Sequence, residues 1–252
     1  MSADHSAVTH AGHGSVPNAG HGSVPHAGAT HDLGHHENPY LAHHFDSEAQ
    51  QTEATQLGMW VFLATEIMFF GGVLSAYMVY RMKAAIPFAA ASHHLDLTLG
   101  GLNTILLIVS SLTMAFAVRQ AALKDRKGYI ANLIVTMLLG TGFLVVKYFE
   151  YSEKFTHHLV PGPKFHWENA GQAHGAEQFF SLYFMMTGLH AIHMVIGLGL
   201  LTVILIQGLK TTFPARFKGR VETMGLYWHF VDIVWIFLFP LLYLIGRHYH
   251  GG

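Results

Sequence analysis

The chain has 252 residues, 51% of them hydrophobic and 12% charged, with a formal net charge of -1. Soluble domains carry about 25% charged residues, so this composition predicts a polytopic membrane protein. The absence of cysteine excludes disulfides, iron–sulfur clusters and thiolate metal sites, and the near-zero net charge gives no support for nucleic-acid binding.

Residues 1–56 read as a low-complexity cytoplasmic tail with the repeat AGHGSVP at Ala11–Pro17 and Ala19–Pro25. Gly, Ala, Pro and Ser dominate it, and it lacks an apolar run to nucleate a core, so disorder is expected. Ten of the 21 histidines fall here. Imidazole suits Zn, Cu and Ni, but no spacing specifies a site, and a soluble, weakly pH-responsive tail is the plainer reading. No cleavable signal peptide is expected, so insertion rests on internal spans.

Residues 57–252 are predicted to form an all-α membrane bundle. Five stretches reach the ~20 residues that a spanning helix needs: about 57–80, 98–118, 129–149, 179–206 and 226–246. The fourth is long enough to require tilt or an emergent end. Pro240 should kink or end the last helix. Gly71, Gly72, Ser75, Gly140, Gly142, Gly188, Gly197 and Gly199 offer sites for close helix contact.

Basic residues set the expected orientation. The short loops 119–128 and 207–225 hold Arg119, Lys124, Arg126, Lys127, Lys210, Arg216, Lys218 and Arg220. The opposite side has Arg81, Lys83, Lys154, Lys164, Arg247 and, if counted there, Lys147. The N-terminus is therefore expected in the cytoplasm and the C-terminus outside. The polar outer loop 150–178 carries Phe155, Phe165 and Trp167, which favour a docking surface over disorder.

Glu66 stands alone in an apolar run, about 14 Å into the first span by helical rise. An acidic side chain at that depth costs roughly 3 kcal/mol, so it needs a partner, a proton or a function. His190 and His193 sit three apart on the fourth span, hence on one helix face, and His193 reaches a depth comparable with Glu66. A Glu66–His193 pairing across two helices would satisfy both groups; a protonated, unpaired Glu66 is the alternative. His229 and Asp232 are also three apart, placed by these boundaries in the first two turns of the last helix. A local pair or a bond to a neighbouring subunit is expected there, with Tyr227 and Trp228 in the interfacial aromatic belt. Haem ligation is disfavoured, because His190 and His193 are too close on one helix to flank a ring. His93, His94, His157, His158, His166 and His174 lack the box spacing of di-iron membrane enzymes and read as surface histidines.

Three motifs, TEIMFFGGV at 65–73, TGLHAIHMVIGL at 187–198 and ETMGLYWHFVDIVWIFLFP at 222–240, resemble subunit III of the haem–copper terminal oxidases. The likeness covers essentially 57–246. It implies a non-catalytic subunit in the bacterial cytoplasmic (inner) membrane, without haem or copper of its own. The metal centres would lie in subunits I and II, which reduce oxygen and pump protons. Subunit III would pack beside subunit I, hold structural phospholipids, and sustain proton uptake and resistance to turnover-linked inactivation. Glu66 matches the carbodiimide-reactive glutamate of the family, and His190, His193, His229 and Asp232 match its other intramembrane polar positions.

Two departures stand out. The commoner form has seven helices around a lipid-filled cleft, whereas this chain has the last five. Where many relatives have an arginine at the inner end of the fourth span, Gln207 stands here, which leaves Lys210, Arg220 and Trp228 as lipid-headgroup candidates. The resemblance implies a cytochrome c oxidase, with the outer loop open to cytochrome c or a supercomplex partner. A quinol oxidase subunit is the near alternative, and a proton-coupled transporter or intrinsic haem protein the remote ones. No inverted repeat or interrupted helix pair supports transport.

Overall fold

In the computed structural model, residues 47–163, 165–210 and 215–244 are described, and all of them belong to one compact unit, Leu41–Gly252. The elements are α1 (Glu48–Lys83), α2 (Ala85–His93), α3 (Leu97–Ala122), α4 (Arg126–Thr156), α5 (Ala173–Lys210) and α6 (Ala215–Phe239). A π turn, Pro240–Leu244, ends α6, and no strand occurs among the described residues. Five of the helices are long and apolar enough to cross a membrane: 50–83, 97–122, 126–156, 173–210 and 217–244.

Every span is longer than its apolar core alone predicts, for local reasons. α1 starts at Glu48, inside the expected tail, because Ser47 caps it by accepting from the Gln50 N–H at 3.2 Å and the following Glu, Ala and Gln are good helix formers. The rest of the expected tail, 1–46, lies outside the described residues. Asp96 caps α3, accepting from Thr98 at 2.8 Å, and Asp125 caps α4, accepting from Gly128 at 3.3 Å. α2 falls between two expected spans, with Pro87 in its first turn, where its missing N–H costs nothing. At Pro240 the α-helical ladder does give way, and the Tyr77 hydroxyl of α1 donates to the Leu241 carbonyl at 2.7 Å.

α3, α4, α5 and α6 close into a ring, with α3 and α5 each packed on both α4 and α6. α1 lies outside this ring against α5 and α6, and α2 rests on α5 and the π turn. The buried residues of α4 are Tyr129, Leu133, Thr136, Gly140, Phe143, Lys147, Glu150 and Lys154, spaced alternately four and three apart. α3 repeats the spacing from Gly100 through Asn103, Leu107, Ser110, Met114 and Ala117 to Ala121. On α1 the inward stripe is Met59, Leu63, Glu66, Phe70, Val73 and Tyr77. A 3.5-residue repeat is the signature of helices packed at shallow left-handed crossings.

Trp228 is the wedge at the ring's centre. It is fully buried, and its indole N–H donates to Ser110 Oγ at 3.0 Å. A methyl group on Gly140 or on Gly197 would come within 2.9 Å of its ring. Trp228 therefore does not reach a lipid headgroup, nor does it or Tyr227 sit in an aromatic belt: α6 begins at Ala215, eleven residues before the expected start, which moves both into the bundle. Gly71, Gly72 and Gly199 have nothing within 4 Å and make no close helix contact in this chain. Gly140→Ala should consequently lower the thermal unfolding midpoint, at a cost of about 1–3 kcal/mol for overpacking, while Gly199→Ala, with open space around it and a better helix former, should hold or raise it.

Candidate functional site

Glu66 and His193 meet near the middle of the spans 50–83 and 173–210, on the seam between α1 and α5. His193 Nε2 lies 3.1 Å from Glu66 Oε2, so the expected cross-helix pairing is present. The imidazole has two further neighbours: its Nδ1 lies 2.8 Å from the Leu189 carbonyl, and the Phe70 ring stands 5.3 Å away. Tyr227 donates to the His193 backbone carbonyl at 2.9 Å, which ties α6 to α5 at this level. The pair is not sealed: the side chains keep 15% and 18% of their surface exposed.

His190 does not join it. Three residues turn the helix by about 300°, enough to send His190 into the ring while His193 faces α1. His190 is fully buried between Phe143 and Trp235, each at 5.3 Å, and neither ring nitrogen has a hydrogen-bond partner.

His229 and Asp232 do not pair either. His229 Nδ1 lies 2.7 Å from Ser111 Oγ, and the Asp232 carboxyl is buried beside the same serine. With α6 starting early, the two lie near the middle of the span 217–244 and not in its first turns. Of the headgroup candidates, Lys210 is exposed at the end of α5, and Arg220 donates to Gln207 Oε1 at 3.2 Å.

A second polar centre, not expected from the sequence, lies inside the ring. Lys147, counted among the outer basic residues, is inside the ring with 4% exposure. Its ammonium lies 3.0 Å from Glu150 Oε2, donates to Tyr243 at 2.9 Å, and sits 4.8 Å from the Trp235 ring centre. Glu150 also accepts from Tyr183 at 2.8 Å and from the Tyr243 hydroxyl. One carboxylate thus ties α4 to α5 and to the π turn. The signal was available: Lys147, Glu150 and Lys154 continue the α4 stripe at the same spacing. Removing one partner of a buried ion pair strands the other. Glu150→Gln should therefore cost on the order of 3–5 kcal/mol in unfolding of the solubilised protein, and Lys147→Met with Glu150→Leu much less.

Between the α2 end and the segment joining α4 to α5, a cavity of about 430 Å³ is lined by His94, Glu153, Lys154, His157, His166 and Glu168, among others. Among the described residues no three His, Asp or Glu side chains converge closely enough to hold a metal ion. Trp167 meets His94 edge-on at 5.0 Å and lies parallel to Phe165, so the expected docking aromatics fold back onto the chain; Phe155 stays exposed. Burial, then the Lys154 charge, holds the His94 pKa below its usual 6.5. A base with a depressed folded pKa binds fewer protons folded than unfolded, so this contribution opposes folding as pH falls through 6.5 toward the lowered value. Trp167 fluorescence should therefore report loosening of the outer loop on mild acidification, and His94→Gln should flatten that response.

A ring of spanning helices with a polar interior and a carboxylate–imidazole pair on its rim defines a multi-pass helical subunit of the membrane. The model of the cytochrome c oxidase subunit III family matches residues 32–247, and the chain belongs to that family. It is 32% identical over 193 residues to quinol oxidase subunit 3 of Bacillus subtilis (strain 168), covering 75% of this chain and 86% of that relative. It is 33% identical over 191 residues to cytochrome c oxidase subunit 3 of Corynebacterium diphtheriae, covering 75% and 87%. A heme-copper oxidase subunit I+III of Aeropyrum pernix is 32% identical over 201 residues, which are 74% of this chain and 22% of that longer protein. The chain is a subunit III of the haem–copper oxidases, a non-catalytic member of an oxidoreductase complex.

Proposed function

We propose that this chain supports a cytochrome c oxidase of the bacterial cytoplasmic membrane, seated against subunit I and sharing a complex with subunit II. The haem and copper belong to those partners, which reduce oxygen to water and pump protons. The observation that carries this reading is the Glu66–His193 pair. It sets a carboxyl and an imidazole, both partly exposed, near the middle of two spans on the rim of the bundle, which supports a contact with a neighbouring subunit or phospholipid there. Such a pair can steady proton supply and the subunit contact without any redox step here. The fused subunit I+III relative supports the contact with subunit I.

Lys210 and Arg220 at the inner end offer the headgroup contacts. The inner side carries eight basic residues against five outside once Lys147 is assigned to the bundle interior, which supports a cytoplasmic N-terminus. Cytochrome c as donor is favoured by the outer loop, whose Phe155 is 60% exposed beside an apolar hollow formed with Val160, Pro161 and Pro163. The relatives named as quinol oxidase subunits favour quinol instead. Oxidation of each donor by the purified complex separates the two.

In the assembled complex, Glu66→Gln should keep the initial rate of oxygen reduction within about twofold, since a neutral isostere preserves the hydrogen bond. Activity should then decay several-fold faster during sustained turnover. Complete loss of the initial rate with the complex intact would sink the supporting role.

A further inference from the structure

The cavity between the α2 end and the segment joining α4 to α5 holds a buried cation that the chain pairs only loosely. Lys154 lines it with 2% of its side chain exposed, and its ion-pair partner Glu153 is 3.5 Å away and 47% exposed. A charge-assisted N–H···O bond is about 2.7–2.9 Å long, so this contact is slack. Buried charges are otherwise closely paired, because their desolvation is costly. The Lys154 ammonium therefore has room for a second counter-charge, and the cavity is where one can enter.

The rest of the lining suits an oxyanion. His94 follows α2, His157 follows α4, and His166 and Asn169 lie on the connecting segment, so donors from three parts of the chain share one cavity with Lys154. Asn169 Oδ1 accepts from the Gly171 N–H at 3.1 Å, which leaves its amide nitrogen to donate elsewhere. The carboxylates of Glu153 and Glu168 also line the cavity, but both side chains are exposed, and water and salt screen exposed charge more than buried charge. The influences on the His94 ring agree, since Lys154 acts on it more strongly than Glu168 does. Trp167, Leu159 and Ala90 add apolar wall, and about 430 Å³ falls within the range of small-molecule sites, so more than a bare ion fits.

We propose that this cavity binds a phosphate ester, with Lys154 paired to the phosphate, His94, His157 and His166 bonding its other oxygens, and Trp167 covering the organic part. A tetrahedral phosphate takes donors from several sides at once, as this lining offers them, whereas a planar carboxylate takes them in its plane. Occupation ties the ends of α2 and α4 to the segment between α4 and α5. The site lies at the opposite end of α5 from Lys210, so it is separate from the headgroup contacts proposed there. It does not rest on the role proposed for Glu66.

The test is hydrogen–deuterium exchange of peptides covering 157–172 in the intact oxidase, in phosphate-free buffer. The probes are glycerol phosphate, inorganic phosphate and dihexanoyl phosphatidylglycerol, with sodium chloride at equal ionic strength as the control. In the wild-type complex a phosphate probe should slow exchange in this segment saturably, by roughly two- to tenfold, and chloride should not. Lys154→Met should abolish the slowing. The double variant His157→Ala with His166→Ala changes exposed side chains only, and it should need roughly tenfold more probe for the same protection, having lost two bonds to a charged group. Protection by glycerol phosphate identifies a water-soluble ester, and protection by the lipid alone identifies a headgroup. No protection by any phosphate probe, equal protection by chloride, or protection unchanged in both variants overturns the site.

Discussion

Inside lipid, the apolar effect does not distinguish the helix face that meets protein from the face that meets acyl chains. A bundle must be held by close packing and by polar side chains with nowhere else to go. In this chain both devices run along the same 3.5-residue stripes. The α3 stripe alternates Gly100, Asn103, Ser110 and Ala117 with larger residues, and the α4 stripe carries Thr136, Gly140, Lys147 and Glu150. Small residues admit Trp228, and polar ones bond across: Ser110 to Trp228, Thr113 to Thr136 at 2.8 Å, Glu150 to two tyrosines. The register of each helix follows from satisfying these groups at once.

That constraint also explains where the polar rim pair comes from. Glu66 occupies the third place of the α1 stripe, between Leu63 and Phe70, so the packing that docks α1 on α5 and α6 delivers its carboxyl to His193. The ring interior and the rim divide the labour. Lys147 and Glu150 pair in a closed cage of aromatic side chains, while the rim pair keeps partial exposure.

The five spans were legible from hydropathy and length, and so was the break at Pro240, because composition alone decides them. The Glu66–His193 contact was legible from depth, since two costly side chains at one level have reason to meet. Helix ends were not, because capping by Ser47, Asp96 and Asp125 extends α1, α3 and α4 past their apolar cores. On α6 the polar turn from Ala215 is helical too, and that carries Trp228, His229 and Asp232 into the middle of the bundle. Lys147 was read as a loop-side charge for a related reason: a window of hydropathy ends where charges begin, although α4 continues to Thr156. His190 and His193 share a spacing that a helical wheel calls one face, yet the 60° between them is the difference between the ring's interior and its rim.

The burial of Lys147 bears on how the chain is made. α4 leaves the ribosome before α5 and α6 exist, so Lys147 enters the membrane without Tyr183, Trp235 or Tyr243 to receive it. Glu150 follows on the same helix, one turn later, and the ion pair needs no other segment to form. The helix thus brings a counter-charge for Lys147 with it, before the tyrosines of α5 and the π turn complete the cage.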